Sequence, residues 1–209
     1  VRPLAPKTRL VAQFLFAFGC VFGGLALPSP GIGPAYARAH AALGNALLDD
    51  EVFEGGVALR FLTPSVDLAE HPWQLTLEVR DPGKPGAVLV PIDLRTLLFL
   101  PIAAFIGLAV AAPLDSARSN ARVLGLGLLI LTPALLLLTA LPLFCFLGGD
   151  GPVRAFRLPL AARVVFQIIY RAMVAPPGMM YALPLLLWWV LVARLKRAKV
   201  TVDSTTTAG

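Results

Sequence analysis

From Val123 to Leu147, 25 consecutive residues carry no charged side chain, and twelve of them are leucine. As a helix that run would be ~37 Å long, more than the ~30 Å thickness of a bilayer's hydrocarbon core. Pro133 and Pro142 are expected to kink such a helix rather than end it. Three further apolar runs, residues 10–27, 96–114 and 176–193, are close to the length a bilayer requires. Hydrophobic residues make up 57% of the 209-residue chain and charged residues only 14%, against roughly 25% in soluble domains. Mean hydropathy is +0.78, so the chain reads as an integral membrane protein, mostly α, with four transmembrane helices.

Charge distribution sets the expected orientation. Arg2, Lys7 and Arg9 precede the first run, Arg118 and Arg122 lie between the second and third, and Arg194, Lys196, Arg197 and Lys199 follow the fourth. These nine basic residues place both termini and the 115–122 loop in the cytoplasm. Ala35-Tyr36-Ala37 could serve as a signal-peptidase site, but the first apolar run is longer than a signal peptide's, so an uncleaved anchor is expected. The net charge of +6 is membrane-flanking and does not suggest nucleic-acid binding.

Residues 28–95 hold nine of the twelve acidic residues and form the one stretch that could fold in water. "AYARAHAALGNALL" reads as a short helix. "WQLTLEVR" alternates strictly, with Trp73, Leu75, Leu77 and Val79 on one side, as a half-buried strand does. It is expected to pair with "AVLVPID" across "DPGKPG", and with "GGVALRFL", in a small extracytoplasmic α+β domain with an antiparallel sheet between the first two membrane helices.

Residues 161–193 are too long for one span, and Pro176-Pro177-Gly178 divides them. The 148–175 connection is therefore expected to hold an interfacial helix of about Ala161–Val174. Arg163, Gln167 and Arg171, four residues apart, would face headgroups or a partner, and Val165, Ile168, Ile169 and Met173 the acyl boundary. Arg154 and Arg157 lie just upstream as further contact candidates. Residues 194–209 would form a cytoplasmic tail, disordered over "VTVDSTTTAG".

Catalytic chemistry has little to rest on. Cys145, in "LFCFL", is the candidate nucleophile for an intramembrane processing enzyme, but flanking phenylalanines suit packing better. Cys20 lies in the first run. His40 and His71 read as surface residues, and the acidic run Asp49, Asp50, Glu51 and Glu54 as a solvated loop. With no phosphate-binding glycine loop, zinc spacing or HExxH, neither a cofactor nor a metal is implied.

"VVFQIIYRAMVAPPGMMYALPLLLWW", residues 164–189, with one span before the outer segment and three after it, resembles the exosortase H-associated membrane proteins. That resemblance implies a small multi-pass accessory protein of the bacterial inner membrane, supporting an exosortase-type envelope protein-sorting system. It carries over no catalytic residue. The expected partners are the bilayer and another membrane protein, such as an exosortase-like peptidase. The alternatives are a Cys145-dependent intramembrane enzyme and a structural subunit of a larger membrane complex.

Overall fold

The computed structural model describes residues 6–27, 31–48, 56–62, 72–112, 114, 116–148, 158–174 and 179–206. Among them lie six α-helices, α1 (Pro6–Ala26), α2 (Ile32–Leu48), α3 (Leu100–Ala111), α4 (Ala117–Leu147), α5 (Leu160–Ile169) and α6 (Met179–Thr206). Three strands, β1 (Ala58–Leu62), β2 (Gln74–Arg80) and β3 (Ala87–Asp93), form one sheet. Two compact units result: a helical one of residues 1–27, 100–135 and 178–209, and an α/β one of 28–99 and 136–177.

In the helical unit, α3 packs against α1 and α6. Glycines let aromatic rings come close. Phe105 is fully buried, and a methyl group on Gly127 would overlap its ring. A methyl on Gly107 would press on Phe18 and Phe22, which stack in a row with Phe14. Phe14 in turn meets Trp188 of α6 at a ring separation of 5.7 Å.

Four membrane-crossing helices are not supported by this structure. Of the described helices α4 alone, 31 residues, is long and apolar enough to cross a bilayer. The apolar helical stretches Leu10–Ala26, Arg95–Ala111 and Met179–Leu195 reach 17 residues at most. At 1.5 Å per residue that is about 25 Å, short of the ~30 Å core. Counting apolar residues overestimated the spans because it ignores where helices start and stop. Helix α3, for example, ends at Ala111, before Pro113. The placement of both termini on one side counted four crossings and loses its footing with them.

Two segments expected to be non-helical extend helices. Most of the supposed 115–122 loop is the first turns of α4, capped by Ser116, whose Oγ accepts from the Ser119 N–H at 3.2 Å. The supposed disordered tail is helical as far as Thr206, and no Gly or Pro interrupts the chain between Pro184 and that point.

In the α/β unit the strand order is β1-β2-β3, antiparallel throughout. The hairpin across "DPGKPG" forms, with Leu77 opposite Val90. Asp81 shapes its turn: its Oδ1 accepts from Gly83 N–H at 2.9 Å, and its carbonyl from Lys84 N–H at 3.0 Å. Gly86, at φ +92°, supplies the left-handed residue that re-enters β3. Trp73, Leu75, Leu77 and Val79 are all buried, as the alternation requires. On the opposite face Glu78, also buried, pairs with exposed Arg80 at 2.8 Å.

Asp93 ends β3 and starts the next helix, accepting from Arg95 N–H at 3.0 Å and from the Thr96 hydroxyl at 2.6 Å. That helix opens with a π-helical turn, Arg95–Phe99. Pro101 has no N–H to offer the Leu97 carbonyl, and the widened turn accommodates the missing bond.

Among the described residues, one side chain hydrogen-bonds edge strand β1 to α2. Asn45 Nδ2 donates to the Phe61 carbonyl at 2.9 Å, while its Oδ1 accepts from the Phe61 N–H at 2.7 Å. The amide thus acts as a one-residue substitute for a neighbouring strand. Gly44 beside it leaves room for the Phe61 ring, which a Cβ there would overlap. Asn45→Ala would strand both Phe61 backbone groups and is expected to destabilise the α/β unit by about 1–3 kcal/mol. A thermal unfolding midpoint in detergent equal to the parent's would show that this pairing contributes nothing.

Candidate functional site

The α/β unit forms a cavity of about 520 Å³ that is open at its rim. Its walls come from α2, from the inner face of the sheet, from Leu94 and Leu98 beyond β3, and from Leu136–Leu147 of α4. The volume falls within the ~300–1,000 Å³ range of small-molecule sites. Among the described lining residues only His40 and Thr139 have polar side chains; the other side chains are aliphatic or phenyl. Leu43, Leu47 and Phe144 line the cavity and are also exposed, so its rim reaches the surface and is apolar there.

His40 is half-buried and lines this cavity, rather than lying on the surface as its place in an alanine-rich helix suggests. Its Nδ1 lies 2.9 Å from the Tyr36 carbonyl, one helical turn earlier. A carbonyl can only accept, so Nδ1 carries the proton and Nε2 of the neutral ring is left with a lone pair. Its ring rests 4.2 Å from that of Tyr36. Tyr36 in turn meets Trp73 at 5.8 Å and Phe99 at 5.9 Å, and Trp73 meets Phe99 at 4.5 Å. Gly33 fits beneath Trp73, where a Cβ would stand 3.0 Å from the indole. The aromatic cluster therefore fixes the backbone turn that orients His40.

The arginine–glutamine stripe lies on α5 and the π-helical turn Tyr170–Val174 that follows it. Gln167 and Arg171 are exposed. Arg163, at the edge of the inward side, is half-buried, with its Nε out of contact with solvent. Phe166 points inward to Phe144, with ring centroids 6.2 Å apart. Outward face Leu160, Val164, Val165 and Ile168, all exposed. Ile169 is half-buried rather than at an outer boundary. Arg154, Arg157, Pro176, Pro177, His71 and the Asp49–Glu54 run lie outside the described residues, as does the side chain of Met173.

Cys145 is half-buried near the end of α4 and does not line the cavity, although Leu143 and Phe144 do. Among the described residues no side chain hydrogen-bonds its thiol, and no three His, Cys, Asp or Glu side chains gather where they could hold a metal ion.

Sequence reading passed over Asn45 and the cavity role of His40. Gly44-Asn45, two weak helix formers side by side in an Ala/Leu helix, was the available signal for a close approach. Nothing in the sequence marks a cavity whose walls come from five separate segments.

No family model matches the chain, and neither a curated protein nor a solved structure does.

Burial pushes the Tyr36 phenol above its ordinary value near 10. A raised phenol pKa means the folded protein keeps this proton after the unfolded chain has lost it. The resulting stability is complete below about pH 10 and is lost as pH rises beyond. Tyr36→Phe is therefore expected to shift alkaline unfolding to higher pH, followed by far-UV circular dichroism. An unchanged alkaline midpoint would mean the phenol is solvated.

Proposed function

We propose that this protein is an integral inner-membrane accessory protein, held by α4 and presenting its α/β unit and α5 to another membrane protein. The observation that supports this reading most directly is the surface of α4. Leu126, Leu129, Ile130 and Leu137 are uncovered, Leu129 by 72%. In water such a surface is penalised at roughly 25 cal/mol per Å², and in hydrocarbon it is not. Arg118 and Arg122 at the start of α4 favour a cytoplasmic position for that end. The opposite end and the acidic α/β segment then belong outside the cytoplasm.

The partner proposed is an exosortase-type sorting peptidase, on the strength of the resemblance carried by residues 164–189. The contact surface proposed is α5 with the π-helical turn after it, where Gln167 and Arg171 border the uncovered Leu160, Val164 and Ile168. An apolar strip with a polar margin suits both a headgroup boundary and a neighbouring membrane chain. Arg154 and Arg157 would add positive charge upstream.

Two measurements test this. The protein should stay in the membrane fraction through alkaline carbonate washing, and its release there would remove α4 as a span. Co-expressed with an exosortase-like peptidase, the tagged protein should retain it in mild detergent. Arg171→Glu with Ile168→Asp should reduce that retention severalfold. Equal retention by the double variant would exclude α5 as the contact.

A further inference from the structure

We infer that the cavity of the α/β unit binds a single hydrocarbon chain of lipid origin whose one end donates a hydrogen bond, a long-chain carboxylic acid or alcohol, with His40 receiving that end. The cavity, about 520 Å³ and open at its rim, presents a concave apolar surface that an apolar ligand would cover favourably. Water gains little there, because among the described lining residues only His40 and Thr139 offer it polar partners. An apolar chain fits walls of leucine, isoleucine and phenylalanine, and the volume suits one chain rather than a two-chain lipid.

Access and head-group chemistry are also on the structure. Leu43, Leu47 and Phe144 give the rim an apolar stretch, and among the described residues a chain entering there meets no polar barrier. One wall is the Leu136–Leu147 stretch of α4, whose Leu137 is exposed on the outside of the same helix. A chain moving between the surroundings of α4 and the cavity therefore stays in contact with hydrocarbon. Inside, Nδ1 of His40 is committed to the Tyr36 carbonyl, which leaves Nε2 as acceptor. A hydroxyl or protonated carboxyl can donate to it, and a carboxylate can pair with the protonated ring. An ester offers no proton and does neither. This inference goes beyond the partner proposed above and does not depend on it.

The test uses the full-length protein in mild detergent, with a long-chain fatty acid bearing a photoreactive diazirine near its tail. After illumination, adducts are mapped by peptide mass spectrometry. Adducts are expected on Leu75 and Leu77 of β2, which line the cavity and are buried, so a probe bound to an outer helix face would not reach them. Ala140→Trp, which fills the cavity from α4, should abolish them while leaving labelling of the outer faces of α1 and α4 intact. Leu143→Trp serves the same purpose should the first variant not fold. His40→Ala should weaken capture about tenfold, the worth of one hydrogen bond. The methyl ester of the probe should show the same loss on the unaltered protein, a comparison that needs no variant. Labelling confined to outer helix faces, or β2 labelling that survives a folded Trp variant, would overturn the site. Equal capture of acid and ester would overturn the role of His40. Equal β2 labelling by a two-chain phospholipid probe would overturn the single-chain assignment.

Discussion

Strand β1 lies at the edge of a three-stranded sheet, so the outward N–H and C=O of Phe61 would otherwise need water or another chain. Asn45 meets both with one primary amide, which has the donor and acceptor spacing of a peptide group. The bond pair fixes α2 along and across β1, and Gly44 lets the helix come near enough for it to form. With α2 so placed, Leu43 and Leu47 fall over the apolar side of the sheet, and His40, one turn earlier, reaches the same space. The cavity is a consequence of that registration. A small sheet of about five to seven residues per strand has little surface to hold a helix by apolar contact alone, and the amide supplies the specificity.

The helical unit is held together differently. Its contacts are rings seated on glycines, Phe105 on Gly127 and Phe18 with Phe22 on Gly107, so dispersion between close backbones carries them. Such packing needs little polar surface and leaves leucines facing outward along α4. Both features suit a hydrocarbon solvent, in which side-chain burial brings no hydrophobic gain and close contact must supply the attraction.

Local pattern was readable where one element decides the outcome. The alternation of residues 73–80 named the buried face of β2, because successive side chains in a strand point oppositely whatever surrounds them. "DPGKPG" announced the hairpin through Asp81, Gly86 and their turn chemistry. Helix extents were less legible. The polar sequence "DSARSNAR" reads as a loop by composition, although Ser116 is a good helix cap and the residues after it are compatible with helix. The stripe illustrates a further limit: spacing puts Arg163, Gln167 and Arg171 on one side, but only the contact of Phe166 with Phe144 turns Arg163 partly inward and leaves the other two out.

By itself the sequence determined that this chain is strongly apolar, that one leucine-rich run is long enough to span a bilayer, and that the polar segment holds a hairpin of known facing. Those properties depend on residue type and short-range spacing, which any arrangement of the elements preserves. Tertiary structure decided how many helices have the length to cross, which end of the stripe is covered, and that α2 with His40, the sheet and the last turns of α4 line one apolar space. Those outcomes depend on bringing together segments up to about a hundred residues apart, such as those of His40 and Thr139, which line the same cavity. No local periodicity encodes them, because each wall alone is only an ordinary apolar helix or strand face.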